Sequence, residues 1–145
     1  MNTPLRNVMS FIAGFVAGSL VNMAFIQFGY AIIPPPTGLD ASSAEGVKAT
    51  AHLLRPEHFV FPFLAHALGT FSGALVTYLM AGSHRAALAY GIGALTLCGG
   101  IAASFMIPAP SWFIALDLIF AYLPMAWLAT KVGAHFVAKR AAAAS

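Results

Sequence analysis

The sequence predicts an all-α, polytopic membrane protein with four transmembrane helices in a compact bundle. Three observations lead there. Four apolar stretches, about residues 8–33, 59–80, 86–107 and 112–132, occupy most of the 145-residue chain. Each reaches the roughly 20 residues that a helix needs to cross the hydrocarbon. Residues of the hydrophobic class make up 60% and charged residues 8%, far from a soluble composition. The runs are also too continuously apolar for the alternating strands of a barrel. An unpaired backbone is not tolerated in lipid, so the helix remains. The chain is expected to form one domain, residues 1–145.

The first stretch follows one basic residue, Arg6, and contains Asn22 and Gln27. It is about twice the length of a signal-peptide core and lacks a clear A-x-A site, so it reads as a retained helix. Pro34, Pro35 and Pro36 then end it in extended chain. A short helix is expected next, capped by Asp40 or Ser42 and running to Leu54. Val47, Ala51 and Leu54 fall on one face, which suits a helix lying in the membrane interface. Pro56 restarts the chain into the second span.

Glycine motifs suggest how the spans pack. Gly14 and Gly18 form G-x-x-x-G in the first, and Gly69 and Gly73 do so in the second. Gly91, Ala94, Cys98 and Ala102 form a small-residue stripe in the third, with Cys98 a packing residue. Such stripes let helices approach where lipid removes any hydrophobic drive for association. The single cysteine excludes an internal disulfide and any C-x-x-C motif. The fourth span is bulkier, with Trp112 and Trp127 spaced as two aromatic belts. Pro62 and Pro124 are candidate kinks.

Charges set the expected orientation. Arg6, Arg85, Lys131, Lys139 and Arg140 flank the spans so as to place both termini and the 81–85 turn in the cytoplasm. The loop between the first and second spans then lies outside. The expected location is the cell membrane, with a bacterial inner membrane the best fit. The net charge of +3 comes from seven scattered Lys and Arg residues, so a nucleic-acid partner is not expected. The expected surroundings are the lipid bilayer and either a homo-oligomer or a larger membrane complex.

Ionisable residues inside a membrane are costly and point to function. His66 lies eight residues beyond His58, and Asp117 six beyond Ser111. At 1.5 Å per residue these are about 12 Å and 9 Å deep from one side, so the two can meet. Asn22 and Thr70 fall on small, polar faces near that level. Asn22, His66, Thr70 and Asp117 are therefore the candidate ligand-binding residues. His58, His66 and Asp117 form a weaker candidate metal set, which Glu57 or His52 could extend. Such a histidine–carboxylate pair could also pass a proton, because imidazole titrates near neutrality. No HExxH, nucleotide loop or G-x-S-x-G is present, nor paired carboxylates in one segment, so no catalytic residue is indicated and the cofactor is unknown.

The function expected is a buried polar pocket in the outer half of the bilayer that binds or conducts a small ligand or ion. One alternative is an accessory or scaffold subunit of a larger membrane complex without its own chemistry. A second is a small membrane enzyme acting on a lipid-like substrate.

Overall fold

The computed structural model describes residues 2–40 and 42–143, and among these there are helices and turns but no strands. Four helical spans are long and apolar enough to cross a membrane, which fits a membrane protein. The first, α1, runs Thr3–Ile32. Asn2 caps it by accepting a hydrogen bond from the Leu5 N–H at 3.2 Å. The helix therefore begins five residues before the apolar run. A polar, capped first turn needs no hydrophobicity.

Beyond the prolines, α2 spans Ala44–Thr50 and continues as a single tight turn over Ala51–Leu53. Its cap is Ser43, not Asp40 or Ser42. Asp40 is engaged elsewhere: the Ser42 hydroxyl and backbone N–H both donate to it and hold its carboxyl below the usual carboxylate range. A second tight turn, Pro56–Phe59, leads into α3, Val60–Met80. Pro62 sits in the first turn of α3, where a backbone N–H has no helical partner to lose. It leaves the helix uninterrupted, contrary to the kink expected there.

The third span is α4, Arg85–Met106. The fourth is divided into α5, Ser111–Phe120, and α6, Leu123–Ala143. Pro124 accounts for the break, because it has no N–H to offer the Phe120 carbonyl and its ring crowds that turn. The helix resumes at Leu123 and runs eleven residues past the apolar stretch.

Helix α3 is the centre, packing against α1, α4 and α6. The two G-x-x-x-G motifs face each other across α1 and α3. A Cβ on Gly18 would lie 2.6 Å from the Gly69 carbonyl oxygen, and one on Gly73 2.8 Å from that of Gly14. Just beyond the crossing, the Thr77 hydroxyl donates to the Ser10 carbonyl at 3.3 Å. The stripe expected on α4 is displaced. Ala94, Cys98 and Ala102 are exposed, and Ala89, Ile92 and Gly93 face inward instead. On α4, Cys98 is thus not a packing residue.

The two ends of the molecule differ. At one, Asn7 accepts from the N–H groups of Gly82 and Ser83, and Arg6 donates to the Met80 carbonyl at 2.8 Å. This ties the start of α1 to the α3–α4 turn, where His84 takes the left-handed conformation at φ 51°. At the other end, the 33–58 loop lies over the mouth of the helices. There Phe59 packs on Phe113 and Trp112, with ring centroids 4.7 and 5.8 Å away.

A leucine at Gly73 must separate α1 from α3, so Gly73→Leu is expected to cost about 1–3 kcal/mol. It should lower the melting temperature in detergent. Gly99→Leu should leave it unchanged, because a Cβ at Gly99 meets nothing within 4 Å. Equal melting temperatures for the two variants would mean that the glycine crossing does not hold α1.

Candidate functional site

His66 and Asp117, on α3 and α5, meet. His66 Nδ1 lies 2.9 and 3.0 Å from the two carboxylate oxygens of Asp117. The Asp117 side chain is 7% exposed and that of His66 28%, so the acid is enclosed and the imidazole reaches open space. A third residue completes the group. The Tyr122 hydroxyl donates to Asp117 Oδ2 at 2.7 Å and lies 3.1 Å from His66 Nδ1. Its ring stacks on the imidazole, with centroids 5.8 Å apart.

Tyr122 is not among the residues that the sequence singles out. It stands in the break between α5 and α6, where the chain leaves helical register. The break lets a residue five positions beyond Asp117 turn back onto it. Gly100 on α4 makes the room, since a Cβ there would lie 2.6 Å from Tyr122 Cζ.

These contacts define the proton positions. The Asp117 carboxylate accepts from Tyr122 O–H and from His66 Nδ1–H. In a neutral imidazole, Nε2 then carries the lone pair. Among the described residues nothing lies within hydrogen-bond distance of Nε2. No buried side-chain nitrogen or oxygen lacks a partner among those residues, so Nε2 is open to the space beside it.

Two cavities lie beside the imidazole, with His66, Gly100 and Ala103 in both walls. The first, about 450 Å³, lies beneath the 33–58 loop, and Leu39, Val47, Leu54, Pro62 and Asp117 also line it. The second, about 510 Å³, is a lateral cavity between α1 and α4. Its polar groups include Asn22, Thr70 and Thr96.

Asn22 and Thr70 therefore belong beside His66 but not in its hydrogen-bonded group. The Thr70 hydroxyl donates to that of Thr96 at 3.1 Å, and Thr96 donates in turn to its own helix. The Asn22 carboxamide has no hydrogen bond to any described residue. Its Cβ lies 3.0 Å from where a Cβ on Gly69 would be.

The metal set does not assemble. His58 Nδ1 accepts from the Arg55 backbone N–H at 3.0 Å, and Glu57 pairs with Arg55 at 2.6 Å. Both line the loop-end cavity, yet among the described residues no three His, Cys, Asp or Glu side chains are grouped to hold a metal ion. What remains is a histidine oriented by a buried carboxylate, able to accept a hydrogen bond or a proton at Nε2. Compared with known protein families, curated proteins and solved structures, the chain matches none.

The group is expected to behave as one unit. Tyr122→Phe removes one hydrogen bond and should cost about 1 kcal/mol. Asp117→Asn should be milder than Asp117→Leu, because the amide oxygen still accepts from Nδ1–H. In a double-mutant cycle of His66→Leu and Asp117→Leu, the coupling should be about 0.5–3 kcal/mol. Thermal or chemical denaturation in detergent measures it, and strictly additive losses would exclude an energetic link.

Proposed function

We propose that this chain is a multi-pass protein of the cell membrane whose compact four-helix bundle binds a small ligand in a polar pocket in the outer half of the bilayer. One observation carries the reading: His66 has one ring nitrogen held by Asp117 and Tyr122 while the other opens onto cavities large enough for a small molecule. A histidine serving only to lock the helices would have no need of that space. Ligand pockets are typically apolar cavities of about 300–1,000 Å³ with a few convergent polar groups. The loop-end cavity fits that description, and Leu39, Val47 and Leu54 of the overlying loop form its roof. We take α2 in that roof to be the interfacial helix.

The orientation places both termini in the cytoplasm and the 33–58 loop outside. In support, Arg6 and Arg85 gather at one end, donating to the Met80 and Tyr78 carbonyls. Gly133 of α6 lies against Tyr78, so the basic end of α6, with Lys139 and Arg140, points the same way. In a Cys98→Ala background, Ser43→Cys should react with an impermeant maleimide from outside, and a C-terminal reporter should be active inside. A reporter active outside would reverse the orientation.

The pocket itself is tested by purifying wild type and His66→Leu in mild detergent and comparing what accompanies each by mass spectrometry. A small molecule bound to wild type and reduced at least tenfold in His66→Leu is the expected result. No small molecule in either, with the same protein partner in both, would replace the pocket with a scaffold role.

A further inference from the structure

The lateral cavity identifies the class of ligand and the side from which it comes. We infer that His66 and Asn22 together hold the neutral, hydroxyl-bearing head of a lipid-soluble molecule, such as a quinol or long-chain phenol, reached from the bilayer between α1 and α4. This rests on the pocket reading above and deepens it.

Two residues with unpaired polar atoms line one cavity. The Asn22 carboxamide and His66 Nε2 lack hydrogen-bond partners among the described residues, and both residues line the space between α1 and α4. An unpaired carboxamide among apolar helices is costly. The nearby Thr70 hydroxyl donates to Thr96 and Thr96 donates to its own helix, so the deficit is confined to these two. Asn22 offers both a donor and an acceptor, and neutral His66 an acceptor. A hydroxyl, which donates and accepts, matches both.

Charge narrows the class. Neither cavity has a Lys or Arg in its wall, whereas Asp117 and Glu57 line the loop-end cavity. A phosphate or carboxylate head in the lateral cavity would find no Lys or Arg in the wall and the Asp117 carboxylate behind His66, so an anionic lipid is disfavoured. The direction follows from the walls. Phe15, Met23, Leu95, Cys98 and Gly99 line the lateral cavity and are themselves exposed on the outer faces of α1 and α4. Those faces belong to helices apolar enough to meet lipid. An apolar tail can therefore remain outside while the head reaches His66.

Gly99 provides a selective block. Of the two cavities it borders only the lateral one, and a Cβ there meets nothing within 4 Å, so Gly99→Trp starts from open space beside that cavity. Ile107 borders only the loop-end cavity, and Ile107→Trp is the matching control. Asn22→Leu removes a group that has no partner to lose. Its melting temperature should hold or rise, whereas a structural asparagine would lower it.

The experiment measures binding of decylhydroquinone, with dodecyl phosphate as the anionic comparison, to the full chain in lipid nanodiscs. Wild type and Ile107→Trp should bind the quinol. Gly99→Trp, Asn22→Leu and His66→Leu should each bind at least tenfold more weakly, with Gly99→Trp and Asn22→Leu as thermally stable as wild type. Loss in Ile107→Trp and His66→Leu alone would overturn the lateral route and leave the loop-end pocket standing. No quinol binding by wild type, or tighter binding of dodecyl phosphate, would overturn the ligand class. Loss of the co-purifying molecule in His66→Leu would then still support the pocket.

Discussion

A carboxyl group enclosed by apolar helices must find its hydrogen-bond donors within the protein, and Asp117 is such a group. Its two donors come from different elements, the imidazole from α3 and the phenol from the junction of α5 and α6. Meeting that demand fixes the relative rotation of α3 and α5. It also requires the fourth span to break, because an unbroken helix would turn residue 122 away from residue 117. Pro124 supplies the break and Gly100 leaves room for the ring. A proline, one glycine-sized gap and an aromatic ring thus serve one acid.

The second constraint is steric. Helices in lipid gain nothing from burying apolar surface against one another, so they associate by close approach and polar contact. The crossing of Gly14 and Gly18 with Gly69 and Gly73 brings two backbones together without side chains between them. This places Asn22 one turn beyond the crossing and beside Gly69. At the level of His66 the chain holds α1 near α3, while α4 stands apart from α1 enough to leave the lateral cavity. Tight packing on one side and open space on the other arise from the same seam.

Much of this was legible in the sequence. The lengths of the apolar runs located all four spans, because span length is a property of the bilayer and not of tertiary packing. The meeting of His66 and Asp117 followed from two depth measurements from the same end. Tyr122 was hidden because helical spacing assigns it a different face from Asp117, and only the break makes them neighbours. The α4 stripe was misplaced for a related reason. Gly91, Ala94, Cys98 and Ala102 are as small as true contact residues, but size alone does not say which face of a helix meets its neighbour. His58 was drawn off by a local contact, the Arg55 backbone, that no long-range reasoning about metal spacing would detect. The cap of α2 moved to Ser43, while Asp40 Oδ1 accepts from both the hydroxyl and the N–H of Ser42.

The glycine seam also determines how α1 can vary over evolutionary time. Only 11% of its most apolar window is buried, and its fully enclosed positions are Ser10, Gly14, Gly18 and Gly29. Each glycine among them faces an atom that even one added carbon would strike. The helix therefore has two substitution regimes side by side. Along one narrow line almost no change is neutral, and around the rest of the cylinder, Arg6, Asn7 and Asn22 apart, one oily residue serves as well as another. Drift in α1 should thus erase overall sequence similarity while leaving a sparse pattern of tiny residues every fourth position. Distant kin would share that spacing long after they ceased to resemble this chain.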